Sequence, residues 1–171
     1  LIQIRRALKP DGLFLGFTLG GSTLMELRQA FLKAEADVTG SASARVLPFM
    51  DVRDAGALLQ RAGFALPVAD TDILTARYDT VFDLVRDLRA MGATNVLTGR
   101  LRRPLRRAVL DRVVEIYSDA FSDPDGRLRA SFEIISLSGW AAHESQQKPL
   151  APGSAQVSLT EVLGSSGDDS R

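Results

Sequence analysis

The chain contains no cysteine and a single histidine, His143. Disulfides, thiolate metal sites and cysteine nucleophiles are thereby excluded, and one imidazole is too few for a histidine-built metal centre, so no metal is expected. No apolar run approaches the roughly 20 residues that span a bilayer. The opening residues do not read as a cleavable signal either, so the sequence predicts no transmembrane segment. An excess of one charge sign is also missing. The 21 basic and 21 acidic side chains cancel, which removes any general attraction for nucleic acid and leaves a charged partner to be met locally. What is present is 45% apolar and 25% charged residues over 171 positions, the balance of a soluble globular protein with a core to build.

Leu1, Ile4, Ala7 and Leu8 repeat at helical spacing, and Lys9-Pro10-Asp11-Gly12 stops the helix and turns the chain. Because the sequence starts at Leu1 with a helix under way, a truncated start is expected. Leu13 to Phe17 is a short, continuously apolar run of the kind found in a parallel strand covered on both faces. After Gly20 and Gly21, Ser22 is expected to cap a helix reaching about Ala36, and Asp51 to cap a second that Gly63 closes. Phe64 to Val68 and Ile73 to Tyr78 read as extended, interrupted by Pro67 and an acidic stretch, and fit one bent strand or a short pair equally.

Thr80 opens the clearest amphipathic helix, with Val81, Leu84, Val85, Leu88 and Met91 on one stripe and Gly92 as its end. Pro104, a good first-turn residue, is expected to start another that carries Leu105, Val109, Val113, Ile116 and Tyr117. Arg129 to Gly139 alternates as a strand. Beyond Glu144 the composition turns to Ser, Gln, Pro and Gly, with one weak apolar patch at Val157, Leu159, Val162 and Leu163. The division expected is therefore 1–143 as one folded part, with a helical insertion at about 80–120, and 144–171 as a mostly flexible tail.

The run from Ile4 through Lys9-Pro10-Asp11-Gly12 to Leu15 resembles the helix-turn-strand segment that enters the fifth strand of Class I S-adenosylmethionine-dependent methyltransferases. The resemblance implies an α/β fold: the C-terminal half of a Rossmann-like sheet, strands five to seven, with the seventh lying antiparallel between the fifth and sixth and a helical pair inserted. Further segments are similar to the malonyl-carrier-protein methyltransferase branch and, more closely, to the complex I assembly factor methyltransferase-like proteins. They are Tyr78-Asp79-Thr80-Val81, Leu88 to Asn95, and Gly139-Trp140 followed by His143-Glu144-Ser145-Gln146-Gln147-Lys148-Pro149. The second group implies modification of an arginine of a respiratory-chain subunit, by hydroxylation rather than methylation.

The same resemblance implies S-adenosylmethionine as cofactor of the full-length protein and none for this chain. The family's glycine-rich loop after the first strand and the acidic residue ending the second, which hold the cofactor through backbone amides and ribose hydroxyls, are not in the sequence. Gly16 to Gly21 is glycine-bearing, but it follows the fifth-strand segment and lacks the fingerprint spacing.

Candidate residues follow from position. Phe17, Thr18, Gly20 and Thr23 sit where the first strand ends, at the carboxyl edge that open α/β sheets use for ligands, against the plainer reading of a strand-helix turn with a capping hydroxyl. Arg77 and Tyr78 close a later strand and either reach a pocket or form an edge ion pair with Asp79 or Asp72. These five residues other than Gly20 form the substrate-side set.

Arg102, Arg103, Arg106 and Arg107, with Arg100, form the sharpest charge cluster. Their positive charge is misplaced for a helix start, so docking of an acidic partner stands beside a solvated helix end. Trp140 reads as a packing residue and His143-Glu144 as an exposed turn. Three functions remain open: a methyltransferase-family enzyme acting on a respiratory-chain subunit in complex I assembly, a malonyl-acyl-carrier-protein O-methyltransferase of biotin synthesis, and a non-catalytic assembly module. The partner expected is a protein substrate, respiratory-chain subunit or acyl carrier protein, in the cytoplasm or at a membrane periphery. Half a sheet leaves an open edge, so the chain alone is expected to be inactive and poorly soluble.

Overall fold

A computed structural model describes residues 1–146. The expected tail from residue 147 onward, with its apolar patch, lies outside the described residues. The turn over 143–146 is described, and there His143 Nδ1 meets the Ser145 hydroxyl at 2.8 Å on an exposed surface.

The elements run α1 (Ile2–Ala7), β1 (Leu13–Leu19), α2 (Met25–Thr39), α3 (Val52–Arg61), β2 (Phe64–Tyr78), α4 (Val81–Ala90), α5 (Arg107–Phe121) and β3 (Leu128–Ala141). The three strands form one sheet in the order β1-β3-β2, with β3 antiparallel to both neighbours. The last strand is thus inserted between two strands that are parallel to each other, the order the resemblance implies.

Local chemistry sets most boundaries. Pro10 cannot continue α1, Asp11 takes a left-handed φ of 59°, and the turn is stitched to the end of β3 by Asp11 N–H to Ala141 O at 3.2 Å and Ala141 N–H to Gly12 O at 2.9 Å. Asp51 caps α3 by accepting from the Arg53 amide at 2.8 Å. Thr80 caps α4 by accepting from the Asp83 amide at 3.1 Å, and its hydroxyl donates to the Asp83 carboxylate at 2.7 Å. Between Phe64 and Tyr78 the chain resolves into one strand, with a register shift between Ala65 and Val68 and Leu66 at φ 49°. Pro67, which has no amide to give to the ladder, sits inside that bulge.

Two helix starts differ from the sequence expectation. Ser22 is not the cap of α2: the helix begins at Met25 after Leu24, which adopts φ 54°, because the Ser22 and Leu24 amides are taken by β3 rather than by the helix. It also runs on to Thr39, past the expected end near Ala36. Pro104 does not open α5. Arg106 keeps an extended ψ of 139° and the helix starts at Arg107, while Leu105 in the preceding segment packs against the core.

The core lies on both faces of the sheet. On one face Leu128, Ala130 and Phe132 of β3 meet α2, α4 and α5 through Leu27, Leu84, Val113 and Tyr117. On the other, Ile135 and Leu137 meet α3 through Ala55 and Leu59, joined by Phe14, Phe64 and Leu8. A central strand buried on both sides explains its near-continuous apolar stretch.

β1 corrects the expectation of a strand covered on both faces. Phe14 packs inward, but Leu13, Leu15 and Phe17 on the opposite face are 47%, 60% and 69% exposed. Among the described residues β1 pairs only with β3, so its other edge is unpaired. Val68, 57% exposed, continues this apolar face across β3, where Ser136, Ser138 and Trp140 occupy the intervening register positions.

Candidate functional site

The β1 to α2 junction is sewn to β3 by polar groups of high sequence separation. Thr23 is fully buried; its hydroxyl donates to Glu133 O at 3.2 Å and accepts from the Glu133 amide at 3.1 Å. The Glu133 carboxylate accepts from the Ser22 amide at 2.6 Å. Glu26, buried at the first turn of α2, accepts from the Ser131 amide at 3.1 Å and the Ser131 hydroxyl at 2.5 Å. Gly20 is needed for this arrangement, because a Cβ there would stand 2.5 Å from the Glu133 carboxyl carbon.

These contacts separate the five substrate-side candidates. Thr23 has both hydrogen-bonding functions engaged within the protein, Phe17 lies on the open sheet face, and Thr18 pairs with Ile135 near the end of β1. Arg77 and Tyr78 stand further along, at the end of β2, where the register pairs Tyr78 with Leu128 well past the last residue of β1. The ion pair of Arg77 is not with Asp79 or Asp72. It reaches Asp123 at 2.8 Å and Asp125 at 2.5 Å in the turn before β3. Tyr78 is half-buried beside Asp87, and burial together with that carboxylate raises its pKa. The structure therefore does not bring the five into one pocket.

The glycines from Gly16 to Gly21 do not form a ligand cradle. At Gly16 a Cβ would meet the Phe14 ring at 2.8 Å, and at Gly20 it would meet Glu133. The close approaches that Gly16 and Gly20 permit are to protein atoms, so these two glycines do not fit an S-adenosylmethionine cradle.

The arginine cluster is partly gathered. Arg102 and Arg107 are exposed, whereas Arg103 and Arg106 line a cavity of about 240 Å³ with Glu35, Thr39, Ser41 and Arg45. Glu35 and Arg45 were not signalled by the sequence pattern. Glu35 is buried, and its carboxylate accepts from Arg45 Nε and Nη2 at 2.8 and 2.6 Å and from the Ser43 amide and hydroxyl at 2.6 and 2.7 Å. Burial alone would raise its pKa, but the Ser43 and Arg45 donors outweigh that and hold it below the usual carboxylate value. Among the described residues no group of acidic, histidine or cysteine side chains could hold a metal ion, and no helix is long and apolar enough to cross a membrane.

No family model matches the chain. Curated proteins do. The chain is 40% identical over 164 residues to the Dictyostelium discoideum protein named arginine-hydroxylase NDUFAF5, mitochondrial, covering 95% of this chain and 37% of that protein. It is 40% identical over 162 residues to the human protein of the same name, covering 95% and 47%. It is 38% identical over 153 residues to malonyl-acyl-carrier-protein O-methyltransferase of Laribacter hongkongensis, covering 90% and 49%. Among solved structures, a putative methyltransferase from Bacillus halodurans matches with a TM-score of 0.43 and 16% identity over 83% of this chain and 61% of that one.

The chain is thus a homologue, over nearly its whole length, of methyltransferase-related proteins. The two groups are the arginine-hydroxylase NDUFAF5 proteins and the malonyl-acyl-carrier-protein O-methyltransferases, the same pair that the sequence resembles. It spans about half the length of the curated relatives it matches, or somewhat less.

Proposed function

We propose that this chain is the C-terminal half of a Class I methyltransferase-family protein that acts on a protein substrate in respiratory complex I assembly, by arginine hydroxylation or methyl transfer. The observation that carries the reading is the 40% identity to arginine-hydroxylase NDUFAF5 across 95% of the chain. The β1-β3-β2 order agrees with strands five, seven and six of the family sheet. In this reading S-adenosylmethionine is held by the upstream half, and the free edge of β1 receives the fourth strand. The protein works in the cytoplasm or at a membrane periphery, where a respiratory-chain subunit is met.

Calorimetry with S-adenosylmethionine on a protein extended through the coding sequence upstream of Leu1 tests this. Saturable heat is expected from the extended protein and none from the 171-residue chain. Mass spectrometry of a respiratory-chain subunit incubated with the extended protein then separates a hydroxylated from a methylated arginine. An unmodified subunit, with no heat, would reject the enzyme reading.

A second reading, methylation of malonyl-acyl carrier protein, draws support from the 38% identity to the Laribacter protein and from the basic surface of Arg102, Arg103, Arg106 and Arg107, which suits an acidic carrier. Arg102→Glu with Arg106→Glu is expected to abolish carrier binding. Unchanged binding would remove it.

A further inference from the structure

We propose that the cavity between the C-terminal end of α2 and the segment leading into α5 is an oxyanion-binding site, shaped for a carboxylate or phosphate group. Its charge is one-sided. Three guanidiniums, Arg45, Arg103 and Arg106, line it with a single carboxylate, Glu35, and that carboxylate is already engaged by Arg45. Elsewhere, while exposed arginines such as Arg53 and Arg102 stand in solvent outside this hollow, Arg77, Arg86, Arg112, Arg127 and Arg129 find an aspartate or glutamate within 4.0 Å. Arg103 and Arg106 find none among the described residues, although both border the same hollow. Nor does α5 bring a competing anion, since its first turn holds no acidic residue.

Arg45 is set in place before any ligand arrives. Glu35 grips its Nε and Nη2, and Glu35 is itself fixed by Ser43. The remaining nitrogen, Nη1, has no acceptor among the described residues. A guanidinium locked at one edge and open at the other loses little freedom when an oxyanion docks, and its planar fork matches carboxylate or phosphate oxygens. The cavity of about 240 Å³ has room for several waters, each occupying about 30 Å³ in the liquid. That is enough for one such group and its residual hydration.

This inference does not rest on methyltransferase activity or on carrier binding, because small anions report it directly. Arginine Nε–Hε resonances of the intact chain are followed by NMR during titration with inorganic phosphate and, separately, with succinate. Saturable shifts at Arg45, Arg103 and Arg106 are expected with at least one probe. Saturation by phosphate alone assigns a phosphoryl group, and by succinate alone an acidic side chain or acid. Arg103→Gln and Arg106→Gln should each weaken binding about tenfold, the loss of one charge-assisted hydrogen bond, while Arg53→Gln on α3, across the sheet, leaves it unchanged. Shifts that rise without saturating for both probes, or an equal loss in Arg53→Gln, would overturn the proposal.

Discussion

Thr23 shows how a side chain can stand in for missing backbone pairing. Where β1 has ended, its hydroxyl accepts from the Glu133 amide, which a continuing strand would have taken, and donates to the Glu133 carbonyl beside the Gly20 amide. Thr23→Val keeps the shape but orphans the part-buried Glu133 amide, so a loss of about 1–3 kcal/mol is expected in urea unfolding. Thr23→Ser should recover most of it. The sequence shows this threonine at a strand end, which is why it reads as a ligand-side residue, but its partner lies 110 positions away and no local spacing reveals that. Glu35 was hidden for a similar reason. Its position on α2 looks like any solvent-facing acid until the 41–45 loop folds back over it.

Glu35 also carries a pH prediction. Its folded pKa is depressed below the ordinary 4.5, so its contribution to stability is complete above about 4.5 and is lost as pH falls through the lower folded value. Glu35→Gln should therefore be less stable than the native chain at pH 7, and the gap should narrow in acid below about pH 4.5. Denaturant unfolding at several pH values measures it; a gap that stays constant would mean that the carboxylate's ionisation contributes nothing.

Among the elements, β1 has two faces in different surroundings. Phe14 joins the core beside Phe64, with ring centroids 5.3 Å apart, whereas Leu15 and Phe17 stand in the open. In the 171-residue chain Leu15→Ser and Phe17→Ser should change stability by less than about 0.5 kcal/mol. Ile135→Ala, in the buried centre of β3, should cost about 2–5 kcal/mol. Thermal or urea melts of the three variants compare them directly. An unbroken apolar run predicts burial on both faces of β1, and it does not show that the described residues leave the face of Leu13, Leu15 and Phe17 uncovered. Helices were legible where caps and periodicity agreed, as at Asp51 and Thr80. They were misplaced where one local signal stood alone, as at Ser22 and Pro104, because tertiary bonds to β3 and core packing of Leu105 overrode it.

At the scale of the whole molecule, the order β1-β3-β2 with a long β2 and a doubly covered β3 was readable only through family resemblance. Antiparallel insertion of a last strand between two parallel ones needs pairing information that periodicity does not hold. The matched relatives are about twice as long as the chain or longer, and the unpaired edge of β1 borders the apolar face formed by Leu13, Leu15, Phe17 and Val68. An edge of this kind invites pairing. The proposed upstream half would satisfy it, adding a strand at the edge and covering the open face.

Amide hydrogen exchange across Leu13 to Leu19 tests that claim most directly, comparing the 171-residue chain with the protein extended upstream of Leu1. Slowing by at least about a hundredfold at the β1 amides that point away from β3, with the Ile135 and Leu137 amides unchanged, is the outcome the account predicts for a strand that gains a neighbour. Equal exchange at β1 in the two proteins would contradict it.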